Sequence, residues 1–377
     1  MSDFLQTLAF GGVGAFMGLF HGAFLAIIVH ELGHLVFGKL TGYSFVSFRV
    51  SSFVWYKENG KIMFSRSKSI AAGQCLMDPP ENPEKFKFVW YNLGGGIFNL
   101  LLAGVWWGIY VITSAIAVDG VHWFWVIFFI IGIVYNVLTA LINLLPFIVG
   151  GMPVDGRNVR EALKSKDAKH GLYMMLYING QLAKGKRYRD FPQELFLINK
   201  NADIRNYFVA YMLMLEAERQ YDIGNHEASM DIMNRLSHIK LPAVYRNGIL
   251  LEQLHYYTIH HRDLQKAAAI YANKKIKRIF THSKTIDFSW VIAAYEYFGL
   301  GNKEKAEKIL TRAHKQLVNH PNMGARMMYK DLIENVEKLI REDDMVIAHE
   351  ENQEKVDVTE LASLLQEANA WKESERD

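Results

Sequence analysis

Two histidines four positions apart, His30 and His34, enclose a glutamate in the run Ile28-Val29-His30-Glu31-Leu32-Gly33-His34. On a helix these positions share a face, so both imidazoles can reach one metal ion. Glu31, in the same turn, is placed to take a proton from a metal-activated water without being a ligand. The spacing therefore predicts a Zn2+ site of the hydrolytic kind, which takes three protein ligands and keeps one position open. The longer form of the motif is absent, since Phe37 and Leu40 stand where its glycine and third histidine would be. The missing ligand must come from farther along, and Asp155, in Met152-Pro153-Val154-Asp155-Gly156, is the expected one. Two readings compete with this one: Asp155 as a cap for a helix starting near Arg157, and Glu58, Glu81 or Glu84 as the third ligand. The single cysteine, Cys75, excludes an internal disulfide and a thiolate zinc cluster, and reads as a packing residue.

The motif lies in an unusual setting. No charged residue occurs between Asp3 and Glu31, so it sits near the end of a membrane span expected over about 8–40, where ionisable groups are costly and point to function. Further spans are expected over about 88–118 and 121–145, joined by a short turn at Asp119-Gly120. Gly11, Gly12, Gly14, Gly18 and Gly22, and later Gly94-Gly95-Gly96, allow close helix approach. His21 is off the His30 face and reads as a packed or substrate-side polar residue. Between the first two spans, 44–77 reads as a small β element. In it a strand over Ser44–Tyr56, a turn at Lys57-Glu58-Asn59-Gly60, a strand over Lys61–Arg66 and a third over Ser69–Met77 precede the breaker Asp78-Pro79-Pro80. It is either a surface hairpin or a strand edge that pairs with unwound substrate.

Charge divides the 377 residues. Only 8 of the 42 Lys/Arg and 8 of the 39 Asp/Glu precede Arg157, so a membrane domain over 1–157 is expected, with a charged cytoplasmic helical domain over 158–377. Lysines and arginines flank the 41–87 loop and follow the third span, whereas the second turn has only Asp119. The positive-inside rule puts the N-terminus outside, the C-terminal domain in the cytoplasm, and His30, His34 and Asp155 at one depth. No basic segment precedes the first apolar run, so no cleavable signal is expected. Net charge of +3 points to no polyanionic partner. The basic cluster Lys184–Arg189 fits contact with the lipid bilayer better than nucleic-acid binding.

Beyond Asn158, three segments, 207–236, 250–271 and 290–317, look like degenerate helical repeats, with Ala228, Ala267 and Ala306 spaced 39 apart. The third is similar to tetratricopeptide repeats, and such stacks bind a protein or peptide partner; a plain helical bundle is the alternative. Leu361, Leu364, Leu365 and Ala368, within Val358–Trp371, are spaced as a capping helix.

Taken together, residues 8–160 resemble the site-2 protease family of intramembrane zinc metalloproteases. Three motifs carry the resemblance, in order: His30-Glu31-Leu32-Gly33-His34; Gly95-Gly96-Ile97-Phe98-Asn99; and Asn143-Leu144-Leu145-Pro146 with Asp155-Gly156. The resemblance implies that His30, His34 and Asp155 bind zinc, that Glu31 is the general base, and that Asn99 and Asn143 hold substrate or oxyanion. The twelve positions from Asn143 to Asp155 exceed the family's compact spacing, and no peptide-binding insertion fits between spans two and three. The expected fold is a mainly α membrane protein with a three-span metalloprotease core, and the expected activity is cleavage of a membrane-spanning protein or peptide. The alternative is a catalytically silent scaffold recruiting cytoplasmic partners through its repeats.

Overall fold

A computed structural model describes residues 2–66, 72–116 and 122–347 of the chain. The Asp119-Gly120 turn and the helix expected over Val358–Trp371 lie outside these residues. The molecule is mainly helical with a small antiparallel sheet. Three long apolar helices, α1 (Ser2–Leu40), α2 (Phe88–Ile116) and α3 (His122–Leu144), pack on one another. Within them Leu8–Leu40, Pro83–Ala115 and Trp123–Leu144 are long and apolar enough to cross a membrane. Their outward faces expose Phe16, Phe24, Leu101, Trp107, Ile112, Val134 and Leu138, far more apolar surface than water tolerates, which suggests membrane association.

Small residues set how closely these helices approach. A Cβ on Gly18 would come within 2.6 Å of the Phe128 carbonyl on α3. On the α1–α2 side, a Cβ on Gly33 would overlap the Gly94 carbonyl. Motif residues and the glycine run of α2 are thereby held backbone to backbone.

The β element is larger than a hairpin. Strands β1 (Ser44–Val50), β2 (Phe53–Glu58), β3 (Lys61–Arg66) and β4 (Gly73–Asp78) form an antiparallel sheet in the order β3-β2-β1-β4. The single strand expected over Ser44–Tyr56 is in fact two, because the chain reverses at Ser51, which takes a left-handed φ of 55°. The Asn-Gly turn is as read: Asn59 and Gly60, at φ 50° and 80°, close the β2–β3 hairpin with both central residues left-handed. β4 is an edge strand and rests against α1.

After α3, a two-residue hairpin (β5, Ile148–Val149; β6, Met152–Pro153) leads to α4 (Asp155–Ala162) and α5 (Lys166–Ala183). Helix pairs follow: α6 (Tyr207–Asp222) with α7 (His226–Ser237), α8 (Ala243–His255) with α9 (Leu264–Tyr271), then α10 (Lys274–His282), and α11 (Ser289–Phe298) with α12 (Lys303–Leu317). A last described helix, α13, covers 323–347. Gly224-Asn225 and Gly301-Asn302 make the turns inside two pairs: the glycines adopt φ of 89° and 65°, and each asparagine side chain caps the next helix. Ala267 and Ala306 are fully buried at their helix crossings, whereas Ala228 is half-buried.

The core crosses the expected boundary at 157. Tyr43, Met77, Phe86 and Tyr91 pack in one cluster with Val159, Leu172, Ile178, Phe208 and Leu236. A second cluster fills α8 to α13. Polar ties reinforce the first: Lys184 pairs with buried Asp78, Tyr173 donates to the carbonyls of Pro80 and Glu81, and Ser65 Oγ donates to the Asn319 carbonyl at 2.7 Å. The helical part thus grips the sheet that lies over α1.

Candidate metal centre

The two imidazoles of the α1 motif are fixed from behind by α2. His30 Nδ1 donates to Asn99 Oδ1 at 2.8 Å, and His34 Nδ1 donates to the Tyr91 carbonyl at 2.7 Å. Both partners are bare oxygens, so each Nδ1 carries the proton and each Nε2 is left with a free lone pair, as a metal ligand requires. Asn99 is wholly buried and its orientation is pinned: Nδ2 donates to the Ala26 carbonyl at 3.0 Å and to Asn136 Oδ1 at 3.2 Å. Asn136 in turn donates to the Gly132 carbonyl of its own helix. Gly95 makes the floor, for a Cβ there would come within 2.6 Å of the His30 ring.

Asp155 arrives from the opposite direction. Pro146 ends α3, and Gly150 and Gly151, at φ 60° and 85°, turn the chain back through the β5–β6 hairpin. Gly156 then seats α4 on the end of α3, where a Cβ would overlap the Leu144 carbonyl. Further along α4, buried Glu161 binds Arg157 at 2.9 Å, Lys164 at 2.8 Å and Asn206 Nδ2 at 3.2 Å. This network holds the helix whose first residue is Asp155. The helix cap is Val154, whose side chain makes no capping bond.

Asp155 Oδ2 lies 3.1 Å from His30 Nε2 and 3.4 Å from His34 Nε2, and the two Nε2 atoms are 3.2 Å apart. A tetrahedral ion with bonds of about 2.0–2.1 Å has ligand–ligand edges of about 3.3 Å, so the three atoms form one face of such a tetrahedron. Asp155 Oδ2 is buried yet has no hydrogen-bond partner, an orphan that a cation at this point would satisfy. Among the described residues this trio is the group that could hold a metal. Glu58 instead faces Arg326 at 3.7 Å, and Glu81 and Glu84 are exposed.

Glu31 is buried beside the trio, under β4: a Cβ on Gly73 would come within 2.5 Å of its Oε1, and the Cys75 backbone reaches its carboxylate. Cys75 itself is buried, and burial, with Glu31 nearby, pushes its thiol up. Asn143 is half-buried and donates to the Thr139 carbonyl of its own helix at 2.9 Å. His21 does the same, to Met17, with its ring against Phe20 and Phe128. Sequence reading missed Asn136, which like Asn99 is an amide in a helix without charged residues. It also missed the Tyr91 carbonyl, which leaves no trace in side-chain pattern. No protein family, curated protein or solved structure gives a match to the chain.

Proposed function

We propose that the chain is an intramembrane zinc endopeptidase of the site-2 protease kind, cleaving membrane-spanning segments of protein or peptide substrates. The observation that carries this is the triangle of His30 Nε2, His34 Nε2 and Asp155 Oδ2 with Glu31 buried at its side. Two nitrogens and one carboxylate oxygen, with a fourth position open, form the donor set of catalytic zinc. When bound there, zinc supplies Lewis acidity towards a carbonyl oxygen and lowers the pKa of a water.

The chain's own residues supply the rest. His30 and His34 keep their Nε2 lone pairs for the ion because Asn99 and the Tyr91 carbonyl hold the opposite nitrogens. Glu31 takes the proton from the attacking water and returns it to the leaving amide nitrogen. Helical carbonyls are already hydrogen-bonded, so a substrate helix must unwind before attack. The edge strand β4, directly above Glu31, offers the backbone partners an unwound segment needs. Asn99, bound to His30, acts in this reading as a positioning residue. Charge distribution supports an outside N-terminus and a cytoplasmic helical region; in this reading that region recruits a protein or peptide partner.

The test uses full-length protein reconstituted in lipid with a labelled membrane-spanning peptide. Glu31→Gln should retain a stoichiometric metal ion yet lose cleavage by about three orders of magnitude or more. Undiminished cleavage by that variant refutes the assignment. Wild-type protein that binds zinc but cleaves nothing would leave the silent scaffold as the better reading.

A further inference from the structure

Away from the metal centre, a cavity of about 490 Å³ opens inside the helical region between α6, α8, the start of α11 and α13. Its polar wall is mostly self-neutralised. Arg187 bridges Asp222 at 2.6 Å and Asp331 at 2.5 Å, and Arg189 adds a second bond to Asp222 at 3.0 Å. Asp287 accepts from Tyr329. Two carboxylates are left over. Glu218 on α6 and Glu252 on α8 both line the cavity, and among the described residues neither has a hydrogen bond or a salt bridge.

Nothing in the wall neutralises that pair. His226 and His260 also line the cavity, with rings stacked at 3.9 Å, and Tyr221 Oη bonds His260 Nε2 at 3.0 Å. Burial, reinforced by His226, holds His260 down at about 4, and burial lowers His226 as well. Both are uncharged near neutrality and leave the carboxylates without a counter-ion. Burial and the neighbouring Asp222 push Glu218 up to about 7, and burial, with Glu218 beside it, raises Glu252 as well. Two unpaired acids sharing a recess in a folded protein mark a cost that a bound cation would remove.

The remaining wall is aromatic: Tyr188, Tyr221, Trp290 and Tyr329. Ring faces attract organic cations, and their bodies cover methylenes. Phe288, another lining residue, sits at a left-handed φ of 59°, a conformation a bulky side chain seldom takes. The volume suits a flexible chain of several heavy atoms rather than a bare ion. A divalent ion is also disfavoured because no three ligand atoms converge here, the His30–His34–Asp155 group being the one that does among the described residues.

We propose that this cavity binds an organic cation, an ammonium or guanidinium group, with Glu218 and Glu252 as counter-ions and the rings of Tyr188, Tyr221, Trp290 and Tyr329 around its carbon chain. The same chemistry has two sources, a basic side chain on a polypeptide and a free polyamine.

Calorimetric titration of full-length protein in detergent separates them. The probes are spermidine, a short peptide with one central lysine, the same peptide with norleucine there, and Mg2+. One of the two amine probes should bind with 1:1 stoichiometry, while the norleucine peptide and Mg2+ give no heat. Binding by the lysine peptide alone identifies a polypeptide source, and by spermidine alone a free amine. The double variant Glu218→Gln/Glu252→Gln should weaken binding on the order of thirtyfold or more, with zinc content unchanged. Should the double variant fold poorly, either single variant should still lose about tenfold. The proposal is overturned if neither amine binds, if the norleucine peptide binds as well as the lysine one, if Mg2+ titrates the same carboxylates, or if the variants bind as the wild type does.

Discussion

Asp155 Oδ2 and His30 Nε2 meet at 3.1 Å although the residues stand on helices separated by the whole sheet and two apolar spans. Neither approach is accidental. His30 is aimed by Asn99, and Asp155 by a helix anchored through Glu161 and by Gly156 against the end of α3. Two rigid supports converging on one point, with an orphaned carboxylate oxygen between them, describe a binding site for a third body.

The first expectation follows directly. Asp155→Asn keeps the shape of the side chain but removes the charge facing two imidazoles. Removing a supporting residue from a metal site typically lowers affinity about 10–100-fold, so removing a ligand should lower it by roughly a hundredfold or more. Metal content after dialysis against a weak chelator measures this. Full occupancy in the variant would remove Asp155 from the ligand set.

Asn99 allows a finer test. Asn99→Ala removes the acceptor of the His30 Nδ1 proton and leaves all three ligands in place. Metal affinity should fall about 10–100-fold. Asn136→Ala, one bond further out, should cost less, because Asn99 keeps its bond to the Ala26 carbonyl. Competition against a chromogenic chelator ranks the three proteins. Equal affinity for Asn99→Ala and wild type would remove Asn99 from the site.

Packing of α1 against α2 can be probed apart from chemistry. A Cβ on Gly33 has nowhere to go but the Gly94 backbone, whereas one on Gly12 meets nothing within 4 Å. Gly33→Ala should therefore destabilise by about 1–3 kcal/mol through forced helix separation. Gly12→Ala should be neutral or stabilising by up to about 1 kcal/mol from helix propensity. Thermal unfolding in detergent reads both, and equal melting temperatures would mean that α1 and α2 are not in backbone contact there.

Much of this architecture was legible because its signals are local. Apolar run lengths marked three membrane-length helices, Asn59-Gly60 marked its turn, and the His30–His34 spacing marked a shared face. What escaped reading depends on long-range contact. Ser51-Ser52 is a weak turn signal without glycine, asparagine or proline, and the reversal there shows only in the pairing of β1 with both β2 and β4. The joining of sheet and helical region through Met77, Tyr173 and Phe208 has no periodicity that a composition change at 157 could reveal. Asp155 was legible as a lone carboxylate, but its route to the imidazoles depends on Gly150, Gly151 and Gly156 acting together. The Glu218–Glu252 pair was invisible, since on paper both are ordinary charges on helical faces.

That pair gives the last expectation, in the pH dependence of stability. Glu218 rises from an ordinary value near 4.5 to about 7 in the folded protein, first through burial and then through Asp222. The folded state therefore holds a proton that the unfolded chain has released. Stability from this group must then decline as pH climbs from about 4.5 through 7, and the decline is complete once the folded carboxyl ionises. Glu218→Gln removes the titration while keeping the side chain's shape. The difference in melting temperature, variant minus wild type, should be small near pH 5 and grow in the variant's favour by pH 8. A difference that shrinks or reverses over that interval would mean that Glu218 has a cationic partner in the folded protein, contrary to the unpaired carboxylates of the cavity. Adding a saturating amine probe at pH 8 should close the gap by supplying that partner to the wild type alone.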